Sequence, residues 1–266
     1  MQLTTNRYSA IPMILLLFSL VLTSCLDSSD SNQGPGNLLE EAEAVNDFST
    51  FVDFVKDPGA IAVDTSTLSQ GTTPLTVLIP TNDAFSELPE GMIDELTAEE
   101  LGEVMSYHIV EELIDLQNIN ETADFTSMQG GDLYFEIVPN NQGNANLFIN
   151  GGNYLGGRQA SNGVIYATDQ VLFPDSYLDV TGLVAKRYEL NSFDEAIDDA
   201  DLHSTLEDTT AAFTIFAPSE EAVGDAGLSA EDVEYHILEE KLLSSELSSQ
   251  SYTTMDGQDL DVEVSG

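Results

Sequence analysis

The residues best suited to chemistry are two Tyr-His pairs, Tyr107-His108 and Tyr235-His236, each followed three residues beyond the histidine by a glutamate, Glu111 or Glu239. Histidine titrates near neutral pH and is the commonest metal-binding side chain, so this spacing raises acid-base and metal chemistry together. A helical zinc site needs two histidines at i, i+4 with a glutamate next to the first, and neither pair supplies the second histidine. His203, the third histidine, lies in an acidic stretch and reads as solvent-facing. Nucleophilic catalysis lacks parts: there is no Gly-x-Ser-x-Gly elbow, and the single cysteine, Cys25, follows an apolar N-terminal segment. No Walker-type glycine loop is present. With 48 acidic residues, pairs of carboxylates are too frequent to single out. Asp259, Asp261 and Glu263 alternate and would share one face of a strand. A straight strand cannot fold the six to eight oxygens around calcium that such ions usually take, so charge that discourages edge pairing accounts for them better. The expectation is therefore no catalytic residue, no cofactor and no metal site, with weak calcium binding by the acidic faces left open.

The Tyr-His pairs sit where a helical pattern gives way to a strand. Histidines at such a junction are placed to hydrogen-bond backbone groups that the helix end leaves orphaned, with the tyrosines packed in or near the core. The elements around them come in a fixed order. Val45, Phe48, Phe51, Val52 and Val55 recur at helical steps and stop at Asp57-Pro58-Gly59. A short apolar strand follows, Leu75 to Ile79, closed by Pro80 and by Thr81, a helix-capping residue type. Leu96-Thr97-Ala98-Glu99-Glu100-Leu101 reads as a capping box with a hydrophobic staple. Beyond the first pair, Leu133, Phe135 and Ile137 alternate with polar neighbours, Gly151 to Gly157 reads as a mobile loop, and Asn162-Gly163 gives a hairpin signal ahead of the apolar run from Val164 to Phe173. Helices first and strands later make the class α+β, with helices packed on sheet.

The same order is then written a second time. Thr76–Phe85 pairs with Thr214–Val223, Leu96–Leu101 with Leu228–Val233, Tyr107–Glu112 with Tyr235–Glu240, and Thr126–Ile137 with Thr253–Val264. A period of roughly 130 residues is a duplicated domain and not a stack of small repeats. In the second copy Phe193, Ala196, Ile197 and Ala200 form the opening helical pattern, Phe213 to Ala217 the strand, Pro218 its end and Ser219 the capping residue. This copy reaches Gly266 before any counterpart of the strands after Ile137, so it is expected to be truncated: residues 38–175 form the first domain and 176–266 an incomplete second one.

Residues 1–25 read as a targeting segment. Arg7 lies in a short polar start, and the apolar stretch from Ile11 to Leu22 is shorter than the ~20 residues that span a bilayer. Leu22-Thr23-Ser24-Cys25 resembles the lipobox of bacterial lipoproteins, which implies Cys25 as the lipidated first residue of the mature chain; an ordinary secretory peptide with an incidental cysteine is the competing reading. Residues 26–37 hold almost nothing to bury and read as a flexible polar tether. The formal net charge is −42, with 6 basic and 48 acidic residues spread through both copies. Such a surface repels nucleic acid and anionic headgroups alike, so the membrane is reached only through a lipid anchor. It suits either high ionic strength or divalent cations, or simply gives solubility.

Three blocks in the first copy, Val77–Phe85, Tyr107-His108, and Asn162-Gly163 with Asp169–Pro174, resemble the fasciclin-like domain family in order and spacing. The resemblance covers about Val45 to Pro174 and again about Tyr188 to Gly266. It implies a wedge built from a small β-sandwich flanked by helices, and a non-enzymatic role in adhesion through extracellular protein or polysaccharide; the lipobox resemblance adds an anchor in the bacterial cell envelope, at the outer membrane or cell surface. It carries Pro80, Thr81, Asn82, Phe85, Asn162, Gly163, Asp169, Pro174 and Pro218 as structural positions, and Tyr107, His108, Tyr235 and His236 as candidate adhesive contacts. The chain departs from the family's pattern at Tyr166, where histidine is common, at Glu220, which stands opposite Asn82, and at Val223, opposite Phe85. The competing function is a calcium-dependent binding or matrix-organising surface protein that uses its acidic faces.

Overall fold

The computed structural model describes residues 35–57, 65–140, 144–208 and 210–264; the targeting segment, Cys25 and most of the tether lie outside the described residues. The first copy opens with α1 (Leu38–Glu43), which the apolar spacing did not announce. Asn37 caps it, accepting from the Glu40 amide at 3.0 Å while Glu40 reaches back to the Asn37 amide at 3.0 Å. A 3-10 turn (Asn46–Phe48) leads into α2 (Ser49–Lys56), which buries Phe51, Val52 and Val55 as its spacing requires. Then come α3 (Thr65–Gln70), β1 (Leu75–Pro80), α4 (Asn82–Ser86), α5 (Ala98–Tyr107) and β2 (Ile109–Val110). The strands β3 (Thr122–Thr126), β4 (Asp132–Pro139), β5 (Ala145–Ile149), β6 (Gly152–Ala160) and β7 (Gly163–Thr168) complete it.

These strands form one sheet in the order β2-β1-β7-β6-β5-β4-β3, antiparallel except for the parallel pair β1–β7. The long strand β6 joins two halves and carries a bulge between Tyr154 and Gly156. One apolar cluster fills the space between the halves and includes Leu78, Val164 and Tyr166 from one side and Leu133, Phe135 and Ile149 from the other. A second cluster lies on the opposite face of β1, where Leu75, Val77 and Ile79 meet Leu38, Phe51, Val55, Val104 and Met105 of the helices. The result is an α+β wedge, a small β-sandwich with helices on one face, and all six residues of β1 are buried at its centre.

Two local readings change. Gly151 to Gly157 is no mobile loop but the turn into β6 and the first six of that strand's nine residues. Its glycines are needed for backbone shape: Gly156 (φ +149°) sits in the bulge, and at Gly151 (φ +80°) a Cβ would stand 2.0 Å from the Ala185 carbonyl. The β6–β7 hairpin exists, but Asn162-Gly163 is not its left-handed pair. The turn residues are Ser161 and Asn162, Gly163 is the first residue of β7, and none of the three has positive φ. Asn162 instead accepts from the Leu38 amide at 2.8 Å and donates to the Leu68 carbonyl at 2.9 Å, tying α1 and α3 to the sheet. Gly163 is small because a Cβ would lie 2.2 Å from the Leu75 carbonyl oxygen.

The second copy runs through α6 (Val180–Ala185), α7 (Asn191–Asp199), α8 (His203–Leu206), β8 (Thr214–Ile215), α9 (Glu220–Val223), α10 (Ala230–Tyr235), β9 (Ile237–Leu238), β10 (Gln250–Thr253) and β11 (Asp259–Val262). From α7 onward the order repeats that of α2 to β4, with α8 in the place of α3. Its strands make only two-stranded ladders, β8–β9 and β10–β11, and β8 has two residues where the apolar run spans five. The expected cap at Ser219 is not made: the residue has N-cap backbone angles but its side chain accepts no helix amide. Ser229 with Asp232 does form the capping box, as Thr97 with Glu100 does in the first copy.

Candidate functional site

Helix α5 delivers Tyr107 and His108 to the middle of the first copy, where both are fully buried. The His108 ring lies 2.7 Å through Nδ1 from the Val104 carbonyl, and its Nε2 lies 3.0 Å from the Leu172 amide. A carbonyl only accepts and an amide only donates, so Nδ1 carries the proton and Nε2 accepts. The backbone carbonyl of His108 also accepts from the Leu78 amide at 2.8 Å. One residue thus joins the end of α5, strand β1 and the segment after β7. Burial holds its pKa down at about 4, since the charged ring would be stripped of water and would lose its acceptor nitrogen.

The Tyr107 hydroxyl donates to the Asp132 carbonyl and accepts from Asn150 Nδ2 at 3.0 Å and from Lys186 Nζ at 2.8 Å. Burial raises the phenol's pKa despite the neighbouring ammonium, so it stays neutral and serves as a hub, not as a base. These two residues expose no surface that a partner could touch, which corrects their reading as adhesive contacts in the first copy; what they contribute is the position of three chain segments. In the second copy Tyr235 and His236 are half-buried. His236 Nδ1 still reaches the Asp232 carbonyl at 2.7 Å, but the Tyr235 hydroxyl meets only the Asp259 carbonyl, at 3.4 Å.

The family-motif positions are structural in the same sense. Thr81 caps α4 through the Ala84 amide. Asn82 Oδ1 accepts from the Thr50 amide at 3.0 Å and so caps α2, whose own N-cap residue, Phe48, has no capping side chain. Glu220 does this for α7, accepting from the Ser192 amide at 2.7 Å, so the departure from asparagine keeps the acceptor and adds charge at a helix start. Phe85 packs its ring 5.5 Å from that of Phe54. Asp169 accepts from the backbone and side chain of Asn153, Pro174 accepts from the Tyr177 amide at 3.0 Å, and Pro80 and Pro218 precede Thr81 and Ser219.

A feature the sequence reading missed lies between the copies. Lys186 is buried; besides Tyr107 it pairs with Asp175. Burial alone would lower its pKa, but the bonds to Asp175 and Tyr107 outweigh that and lift it above the ordinary lysine value. Glu136 on β4, only 3% exposed, accepts from the Tyr188 amide at 2.7 Å and the Glu189 amide at 3.3 Å, the first amides of the 3-10 turn (Tyr188–Leu190) that leads into α7. Arg187 stacks 4.3 Å above the Tyr134 ring, and Tyr188 lies flat on Phe148 at 3.9 Å. Two of only six cations stand side by side at this junction, and that adjacency was the available signal.

Among the described residues no three His, Cys, Asp or Glu side chains converge where a metal ion could sit. Asp259 and Asp261 do share one exposed face of β11, where they meet Thr253 and Ser251 across the ladder. His203 lies between Asp198 at 2.7 Å and Glu207 at 3.5 Å, with its side chain 38% exposed. No helix among the described residues is long and apolar enough to cross a membrane.

Comparison with known proteins places these elements. Human periostin is 30% identical over 200 residues, covering 71% of this chain but only 23% of periostin, so the chain spans about a quarter of that relative. The Synechocystis protein sll1483 is 30% identical over 156 residues, covering 57% of this chain and 81% of that protein. Among solved structures, a FAS1 domain pair from the insect cell adhesion molecule fasciclin I covers 82% of this chain and 85% of its own, at 16% identity and a TM-score of 0.49. The fasciclin domain model matches residues 46–174 and again residues 188–266. With both copies matched across most of its length, the chain belongs to the fasciclin domain family.

Proposed function

We propose that this protein is a non-enzymatic adhesion or interaction module of the bacterial cell envelope, held by a lipid on Cys25 and binding extracellular protein or polysaccharide through its two fasciclin domains, residues 38–175 and 176–266. The observation that carries this reading is the double family match, since fasciclin domains occur in adhesion and extracellular proteins, joined to a leader that ends at a lipobox-like cysteine. The burial of Tyr107 and His108 supports a contact made by the outer surface. The charge of −42 supports a partner that is neutral or basic and a protein that tolerates high salt.

The test is capture of the chain from Cys25 onward on immobilised basic matrix protein and on neutral polysaccharide, at ~0.15 M and ~1 M sodium chloride, with calcium or with chelator. Saturable capture on either support that persists with chelator is the expected result. Capture that vanishes on chelation would transfer the function to a calcium-dependent surface, and no capture on either support would overturn the proposal.

A further inference from the structure

A groove of about 290 Å³ runs between α2 and the segment that follows α4. Phe54, Phe85, Leu88 and Ile93 form its apolar floor, all half-buried and so still open to solvent, and Glu90 and Asp94 form an acidic rim beside the turn at Gly91. Asp53, Asp57 and Glu87 are exposed nearby in the chain. The second copy does not repeat this floor. The matching caps, Asn82 on the Thr50 amide and Glu220 on the Ser192 amide, set the correspondence, and it puts Ala196 at the place of Phe54 and Val223 at that of Phe85. The aromatic pair is therefore particular to the first copy.

The groove's size and charge restrict what can occupy it. Its volume lies at the bottom of the ~300–1,000 Å³ typical of small-molecule pockets and suits one anchoring side chain. A second copy of this chain would bring 48 acidic against 6 basic residues to an acidic rim and be repelled. The complementary partner is basic. We propose that the groove docks a cationic segment of a partner protein, with one aromatic or long aliphatic side chain between Phe54 and Phe85 and flanking Lys or Arg against Glu90 and Asp94. This deepens the interaction reading above and rests on it.

The probe is a blocked synthetic pentapeptide, Lys-Lys-Phe-Lys-Lys, titrated into the chain from Cys25 onward at ~0.15 M salt and followed by nuclear magnetic resonance. A peptide with central alanine and one with glutamate flanks serve as controls. The expected result is saturable shifts centred on Phe54, Phe85, Leu88 and Ile93, with the alanine peptide at least about tenfold weaker and the glutamate peptide silent. Phe85→Ala is expected to weaken binding at least about tenfold. Because that change touches packed residues, the exposed pair Glu90→Lys with Asp94→Lys serves as the second variant and should weaken it comparably. Shifts scattered over the acidic surface, or equal binding of the phenylalanine and alanine peptides, would reduce the effect to diffuse charge and overturn the groove. Peptide binding lost in the charge-reversed variant while matrix capture is unchanged would separate the groove from the adhesive surface and also overturn it. Matrix capture absent while the peptide still binds would instead sink the adhesion reading.

Discussion

Replacing Glu136 by glutamine keeps the volume of the side chain and removes its charge where the two copies meet. In an ordinary position on a chain of charge −42, losing one carboxylate relieves repulsion and leaves stability equal or higher. Glu136 should behave oppositely. Its carboxylate is buried, and its oxygens accept from the Tyr188 amide at 2.7 Å and the Glu189 amide at 3.3 Å, with Arg187 Nε 3.9 Å away. Glutamine offers one acceptor and turns an NH2 group toward a backbone N–H. Losing a hydrogen bond to a charged group costs about 1.5–3 kcal/mol, and removing the anion from the start of a helical turn adds about 0.3–1 kcal/mol. The expected loss is about 2–4 kcal/mol, which at a urea slope of about 2–3 kcal/mol/M lowers the midpoint by about 1–2 M. Equilibrium urea unfolding of Glu136→Gln beside Asp124→Asn, an exposed acid on the edge strand β3, reads the contrast directly. If both variants keep or gain stability, Glu136 is not a cap for the second copy, and the joint between the copies is looser than its geometry implies.

Tyr107→Phe removes a hydroxyl that serves Asp132, Asn150 and the buried Lys186 ammonium, and should cost about 2–3 kcal/mol in the same assay. Tyr235→Phe, which gives up one 3.4 Å contact, should cost much less. His108 has a pKa of about 4 folded against 6.5 for the free side chain, so the unfolded chain binds the extra proton first. Its contribution is fully present above pH ~6.5 and is lost as pH falls toward 4, about 3 kcal/mol in all; wild type should show this extra slope and His108→Gln should not. Asp194 occupies the place of the buried Val52, has a buried oxygen without a hydrogen-bond partner, and has its pKa raised first by burial and then by Asp198. Asp194→Val should therefore stabilise the protein at neutral pH by about 1 kcal/mol, a value reduced for the group's partial exposure; thermal unfolding checks it.

The duplicated order of elements was legible because it rests on local signals. The capping boxes at Thr97 and Ser229, the helical spacing of Phe51, Val52 and Val55, and the apolar run of β1 each require only near neighbours. What the sequence concealed depends on contacts far apart in the chain. Asn162-Gly163 looks like a hairpin turn, yet its residues are fixed by Leu38, Leu68 and Leu75, up to 124 positions away. The glycines of β6 look like a loop because a bulge and a close approach of another backbone call for the same residue. Tyr107 and His108 were open to a surface or an interior reading until Lys186, Asn150 and Leu172 were seen to enclose them. Lys186 and Arg187 carried a signal, their rarity, but no local pattern says that an ammonium will be buried.

Whether the Tyr-His centre works from inside the protein is read most directly by nitrogen-15 resonance of the histidine rings across pH. The expected result is a His108 ring that stays neutral with the proton on Nδ1 down to about pH 4. A His108 ring that titrates near 6.5, or that exchanges its Nδ1 proton freely with water, would contradict the buried junction and return the pair to the surface as a contact site.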